Sequence, residues 1–375
     1  MEKPKVRISV RNLVEFILRS GDLDNSRGSS GDKEAMLKGG RLHRKIQRSM
    51  KGNYQAEVSL KRESEYEDVI IQVEGRADGI FTEDGEFWID EIKGTYGNLQ
   101  AMEVPVPVHR AQAMCYGWIY GEKEGLSQIG IQMTYSHLDT EDTRRFREIF
   151  SMEELKNWYQ KLLDDYHKWI SCSLSWKKER NASMKDLQFP FPYREGQREI
   201  VSGVYHTVSS KKTLFVQAPT GVGKTMSAIF PSVRAIGEGK GETLFYLTAK
   251  TITGTVAWEA FHTLRENGLK FKVTAITAKE KLCFLDSPEC TPEKCPYAKG
   301  HFDRVNDAVY ELWTTEEVYS REVIRAHAEK WQVCPFEMCL DLSVWVDGVI
   351  CDYNYAFDPN VHLKRFFGEN ISGDY

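Results

Sequence analysis

Apolar residues recur at helical spacing over 9–19 (Val10, Leu13, Val14, Ile17) and 34–50 (Met36, Leu42, Ile46), predicting two helices. The period then shortens to two. YQAEVSLKR (54–62), DVIIQVEGRADGIF (68–81) and EFWIDEIKG (86–94) are β-branched or alternating runs, and a Thr82-Glu83-Asp84-Gly85 turn makes the second and third a hairpin. A helix from about His109 to Tyr120, a strand over 129–138 and an acidic-started helix over 152–170 complete one α/β unit. SCSLSWKKERNASMKDLQFP (171–190) has no sustained period and is read as a linker. Beyond it, TLFVQAP as a strand, a Gly-rich turn, a helix through Val233 and ETLFYLTAK as a strand alternate. Such alternation predicts a parallel sheet with crossover helices.

The chain of 375 residues is long enough for two to three domains, and 41% hydrophobic with 28% charged is ordinary globular composition. A net charge of −5 excludes a histone-like protein held to nucleic acid by bulk charge. The sum hides segregation: residues 1–50 carry 12 basic and 6 acidic residues, 51–100 carry 5 and 12, and 301–375 carry 6 and 14. Glu63, Glu65, Glu67 and Asp68 read as an exposed acidic loop. With no run of about 18 apolar residues and no signal-peptide core, a cytoplasmic protein without a membrane partner is expected. Six of the eight cysteines fall between Cys283 and Cys351, which in a reducing compartment suggests metal ligation before disulfides.

Asp78 lies near the end of one hairpin strand, and Glu91 and Lys93 share one face of the next, while Asp90 and Ile92 point away. Two carboxylates at a strand edge suit Mg²⁺ or Mn²⁺, and a nearby ammonium can orient or deprotonate water and neutralise phosphoryl charge. An ion-pair ladder on a hairpin surface is the competing reading. Four motifs in order now resemble the RecB-like branch of the PD-(D/E)xK nucleases: Gly39-Gly40-Arg41-Leu42-His43, Asp78, Glu91-x-Lys93 and Gln112-x-x-x-Tyr116. The resemblance covers roughly residues 5–170. It implies a mixed sheet flanked by helices, with one or two divalent ions bound by His43, Asp78, Glu91 and the main-chain carbonyl of Ile92. Lys93 would serve the attacking water, and Gln112 and Tyr116, four apart on one helical face, would contact nucleic acid or position the lysine. Arg41, Arg44, Lys45, Arg48 and Lys51 around His43 form a basic helix face suited to phosphates, or simply a solvated one.

Ala218-Pro219-Thr220-Gly221-Val222-Gly223-Lys224-Thr225 stands between an expected strand and a helix, the context of a phosphate loop. The glycines let N–H groups approach phosphates, Lys224 neutralises β and γ oxygens, and Thr225 can hold Mg²⁺. Ala218 departs from the general pattern but matches the helicase variant. Tyr193-Arg194-Glu195-Gly196-Gln197 resembles the Q-motif of superfamily 2 helicases, which implies that Gln197 reads adenine and selects ATP. Tyr246-Leu247-Thr248-Ala249-Lys250-Thr251 resembles motif Ia, which touches the DNA backbone.

Cys283, Cys290, Cys295 and Cys334 could hold zinc or a [4Fe–4S] cluster, and their spacing favours neither. Their position after the phosphate loop, with Cys334-Pro335-Phe336-Glu337 and Cys351-Asp352-Tyr353-Asn354-Tyr355-Ala356-Phe357-Asp358-Pro359 following, resembles the XPD/DinG family of iron–sulfur helicases. This resemblance runs from about 190 to 375 and implies 5′→3′ translocation on single-stranded DNA. Cys339 and Cys351 read as packed thiols. The family's Asp-Glu-Ala-His segment and its second motor domain do not occur in the chain, so negligible ATP turnover and further C-terminal helicase domains outside it are expected.

The expectation is a nuclease domain over 1–172, a linker over 173–190, and an incomplete RecA-like P-loop domain over 191–375 with a four-cysteine insertion at about 281–336. It is the N-terminal part of an ATP-dependent DNA helicase–nuclease for repair or end processing, with DNA and ATP as partners. A DNA-binding module with a silent motor and a structural metal cluster is the alternative. A small-molecule ATPase or kinase fused to a nuclease fits the Q-motif and cysteine insert less well.

Overall fold

The computed structural model describes residues 3–25, 32–50, 52–249, 251–358 and 362–367. They divide into two compact units, residues 1–20 with 25–171 and residues 21–24 with 172–375.

The first unit is built on a six-stranded mixed sheet. Its elements are β1 (Lys5–Ser9), α1 (Val10–Ile17), α2 (Asp32–Ser49), β2 (Gln55–Glu65), β3 (Ile70–Glu83), β4 (Glu86–Thr95), α3 (Pro107–Glu124), β5 (Gln128–His137), β6 (Thr143–Ser151) and α4 (Met152–Lys185) as far as Ser171. Ser9 caps α1 by accepting from the Asn12 N–H at 3.0 Å, and α1 buries Val10, Leu13 and Val14. The β3–β4 turn uses positive φ at Asp84 and Gly85, as the sequence predicts. Leu42 and Ile46 of α2 pack on Ile92 of β4, whereas the adjacent Lys93 meets Gln112 of α3, so the two helices cover opposite faces of the sheet.

The long strand β3 positions the site. It pairs with β2 along one edge and, along the other, first with β1 in parallel (Lys5↔Ile70 to Ser9↔Glu74) and then with β4 antiparallel (Gly79↔Asp90 to Glu83↔Glu86). Between those ladders, Gly75 to Asp78 have no strand partner on that edge. On the β2 edge the register also skips Glu57 and Asp78, and Glu57 takes φ of 58°, uncommon for a residue with a side chain. Asp78 is therefore released from both ladders.

The second unit holds a parallel four-stranded sheet in the order β7-β10-β8-β9. In chain order it comprises α5 (Gln197–Ser209), α6 (Lys224–Gly237), β7 (Leu244–Thr248), α7 (Thr251–Glu266), β8 (Val273–Ala275), α8 (Lys279–Leu282), α9 (His301–Thr315), β9 (Val318–Tyr319), α10 (Arg321–Trp331), α11 (Pro335–Leu342), β10 (Gly348–Asp352) and two short helices, Asn354–Phe357 and Lys364–Phe367. Its core gathers Ile229, Val233, Phe261, Leu264, Phe271 and Val273.

Three expectations change. The residues read as a linker are helical as far as Lys185. Trp176, Arg180 and Met184 repeat every four residues; Arg180 is buried because it pairs with Asp347 at 2.7 Å, so its charge disguises an inward stripe. Glu63 and Glu65 are not loop residues but lie on β2, paired with Lys5 and Lys3. Thr213 to Gln217 form no strand, and Phe215 is 93% exposed. A strand exists only through pairing, and among the described residues no neighbour takes this segment.

Candidate functional site

The interruption in β3 gathers the residues singled out in the first unit. Asp78 reaches across it, its Oδ2 accepting the Ile92 N–H at 2.7 Å in place of a ladder bond. Gln47 of α2 donates to the Asp78 main-chain oxygen and to Glu57 Oε1, both at 2.9 Å, filling the gap on the other side. His43 Nδ1 lies 3.4 Å from Asp78 Oδ1. Glu91 is 2% exposed; its Oε1 accepts from Lys93 Nζ at 2.8 Å, while Oε2 has no hydrogen-bond partner among the described residues. Lys93 Nζ also donates to Gln112 Oε1 at 3.1 Å. Tyr116 hydrogen-bonds Gln112 and the Arg76 main chain. Its hydroxyl fills the space over Gly75, where a Cβ would come within 2.7 Å.

Close packing and burial act on Glu91 and Tyr116. Burial, reinforced by the Asp78 charge and opposed by Lys93, pushes the Glu91 carboxyl up to about 8. Burial, together with the charge on Glu91, pushes the Tyr116 phenol up to about 12. A desolvated carboxylate oxygen with no donor, beside a second carboxylate, is the donor chemistry a divalent cation satisfies. The set is not a preformed cage: among the described residues, no three His, Cys, Asp or Glu side chains are grouped to hold a metal ion.

Several supporting residues carry no sequence signal. Tyr54 donates to Asp90 Oδ2 at 3.1 Å, and Asp90 Oδ1 also accepts from Thr134 at 2.6 Å and Gln132 at 3.0 Å. This buried network on the opposite face of β4 fixes the strand that carries Glu91 and Lys93. Tyr54 and Gln132 are unremarkable in sequence; only strand register brings them to Asp90.

In the second unit, Gly221 and Gly223 adopt φ of 84° and 82°, turns that glycine permits. Lys224 Nζ donates to the Ala218 and Pro219 carbonyls at 3.0 and 2.8 Å. Thr225 Oγ1 accepts from the Tyr246 hydroxyl at 3.3 Å. Gln197 is buried, accepts from the Arg194 N–H at 3.0 Å and lies against Gly223, while Arg194 bonds the Gly221 carbonyl and Thr220 stays exposed. The Q-motif and phosphate-loop residues thus converge. Thr248 lines a crevice of about 430 Å³ at the carboxyl ends of β7, β8 and β10, with Trp258, Thr277, Lys281, Asp352 and Tyr355. Lys250 of the expected motif Ia lies outside the described residues.

Cys283, Cys290, Cys295 and Cys334 line one small cavity together with Leu23 and Tyr297, and all eight cysteines of the chain are free thiols. Burial pushes the Cys334 thiol up to about 11. Burial opposes the Lys279 ammonium, but a hydrogen bond to Cys290 and the facing charges of Glu337 and Cys334 favour it. The cavity wall includes a segment that no local pattern of residues would place there. Leu23 N–H donates to the Ala298 carbonyl at 2.8 Å, and Asp22 Oδ1 accepts the Gly300 N–H at 2.6 Å. Cys339 and Cys351 are buried away from the cavity, Cys339 beside Thr274 and Cys351 on β10. Zinc would draw four thiolates to about 2.3 Å from one point. The described residues hold no such group.

No helix among the described residues is long and apolar enough to cross a membrane. No family model matches the chain. A stretch of 47 residues, 12% of this chain, is 40% identical to a probable ATP-dependent helicase of Methanocaldococcus jannaschii and spans 7% of that protein. Among solved structures, the crystal structure of SSO0001 is similar at 20% identity and a TM-score of 0.29, over 44% of this chain and 78% of that one. An XPD helicase is similar at 16% identity and a TM-score of 0.32, over 45% of this chain and 29% of that one. Scores this low carry no argument about fold or mechanism.

Proposed function

We propose that the first unit is a divalent-cation-dependent nuclease that hydrolyses DNA phosphodiesters. The observation that carries this is the juxtaposition of Asp78, Glu91 and Lys93 at the interrupted edge of β3, with one buried Glu91 oxygen lacking a donor. Asp78, Glu91, His43 and the Ile92 carbonyl would hold a Mg²⁺ or Mn²⁺ ion, which would supply Lewis acidity and lower the pKa of water. Glu91 Oε1 and Gln112 Oε1 fix the Lys93 ammonium, which neutralises charge developing on the phosphoryl oxygens. Tyr116 holds Gln112, and Asp78 locks β4 through the Ile92 N–H. By resemblance the cut leaves a 5′-phosphate.

The same reading makes the chain the N-terminal portion of a cytoplasmic, ATP-dependent 5′→3′ DNA helicase–nuclease. Gln197, Thr220, Gly221, Gly223, Lys224 and Thr225 would take ATP, and Cys283, Cys290, Cys295 and Cys334 would hold a [4Fe–4S] cluster. The chain spans only 7% of the curated helicase it matches, so helicase activity is part of the proposal. For the second unit, one observation favours a silent motor: Thr213 to Gln217, which should back the phosphate loop, form no strand among the described residues.

Hydrolysis is tested by incubating the chain with single-stranded DNA and Mn²⁺, wild type against Lys93→Ala; equal residual DNA refutes it. Anaerobic purification tests the cluster: iron with absorbance near ~400 nm is expected, and zinc without iron refutes it.

A further inference from the structure

Beyond Lys93, β4 runs through Gly94 and ends at Thr95, and Tyr96 follows it. Gly94 and Gly39 lie close enough that a Cβ on Gly94 would be 3.8 Å from the Gly39 Cα, so α2 comes down on the end of β4. This brings Lys38 Nζ, held by Asp139 at 3.0 Å, to 5.9 Å from the Tyr96 ring centroid. His137 stands at a right angle to the ring, 6.4 Å between centroids. The tyrosine is nevertheless 51% exposed. It forms one wall of an open groove of about 660 Å³, whose other walls include Asn98, Gln100, His137, Thr143 and Arg144.

The groove floor is held in place. Arg144 donates to the Leu99 and Gln100 carbonyls, each at 2.9 Å, Asn98 Oδ1 accepts the Gln100 N–H at 2.9 Å, and the Leu138 N–H donates to the Thr95 carbonyl at 2.9 Å. An exposed aromatic ring on a rigid floor, rimmed by amide, hydroxyl and cationic side chains, stacks a planar heterocycle and bonds its edges. Asp139 and Asp142 keep the rim near neutrality, which suits a base rather than a phosphate. Three residues of chain separate Tyr96 from Lys93, a reach of at most about 10 Å.

We infer that this groove is a subsite for one unstacked base of a single strand whose phosphodiester lies at Lys93. The inference rests on the nuclease reading of Asp78, Glu91 and Lys93. It adds that the substrate is single-stranded there, because a base held in a duplex cannot present its face to Tyr96.

The test uses the full chain in EDTA, so that no strand is cut, with an oligothymidylate carrying 5-iodouracil that is photo-crosslinked and mapped by mass spectrometry. A crosslink at Tyr96 is expected, with affinity falling about 5- to 100-fold in Tyr96→Ala and held within about twofold in Tyr96→Phe. Crosslinks only elsewhere, or equal affinity for wild type and Tyr96→Ala, overturn the subsite. If Tyr96 crosslinks while wild type and Lys93→Ala leave equal residual DNA in Mn²⁺, the nuclease reading fails and the subsite stands. If wild type degrades DNA and Tyr96 takes no label, the reverse holds.

Discussion

Gly79 is the first β3 residue after the interruption, opposite Asp90 in the ladder, and it has no room for a side chain. A Cβ there would overlap the Tyr54 hydroxyl and lie 2.6 Å from its Cε2. In Gly79→Ala the strand cannot yield, because β2 and β4 clamp it from both sides, so the tyrosine ring must leave. It then loses its bond to the buried Asp90 carboxylate, about 1.5–3 kcal/mol for a charged acceptor, and its stack on Phe81 at 6.0 Å, about 0.5–1.5 kcal/mol. The expected cost is about 3 kcal/mol, equivalent to roughly a hundredfold faster exchange of amides that open with this unit. Hydrogen exchange read on peptides spanning β3 and β4 measures it without interference from the second unit. Tyr54→Ala alone should cost a similar amount. In the Tyr54→Ala background the further change Gly79→Ala should cost well under 1 kcal/mol, because the obstacle is gone. Equal costs of Gly79→Ala in both backgrounds would refute the proposed coupling between the ladder end and the Asp90 network.

Gln112→Ala removes one of the two acceptors that fix Lys93; it should lower the single-turnover cleavage rate about 10- to 100-fold with little change in thermal stability. His109 is pushed down to about 4 by burial and then by Lys93 and Arg11, so it stays neutral in the fold while the unfolded chain takes up a proton below about 6.5. Its contribution is therefore complete above pH about 6.5 and is lost as pH falls towards 4; calorimetry of the first unit should show that acid loss flattened in His109→Gln. Arg180→Ala leaves the buried Asp347 carboxylate without its cation and should destabilise the second unit by about 3–5 kcal/mol, read as a lower urea midpoint.

Local pattern made β2, β3, β4 and their turn legible, because one-sided burial imposes a period of two. It also placed Glu91 and Lys93 on one face and Asp90 on the other. In the first unit two strands escaped it: Lys5–Ser9 alternates but over only five residues, and Thr143–Ser151 is an edge strand carrying three arginines without a clean alternation. The segment Thr213 to Gln217 shows the opposite failure, since an apolar run expresses strand preference but cannot supply a neighbour. Tyr54, Gln47 and Leu23 were invisible because their roles depend on residues brought close only by the fold: Asp90, Asp78 and Ala298. Arg180 was misleading for the same reason, a charge that is buried only because Asp347 meets it 167 residues later.

The central claim is that Asp78, Glu91 and Lys93 form a hydrolytic site. Its most direct test is time-resolved degradation of end-labelled single-stranded DNA in Mn²⁺ by the wild-type chain and by Lys93→Ala, with unchanged circular dichroism confirming that the variant folds. Progressive loss of full-length DNA with wild type, reduced at least about a hundredfold in the variant, is the predicted result. Equal rates in the two proteins, or no loss in either, would contradict the assignment.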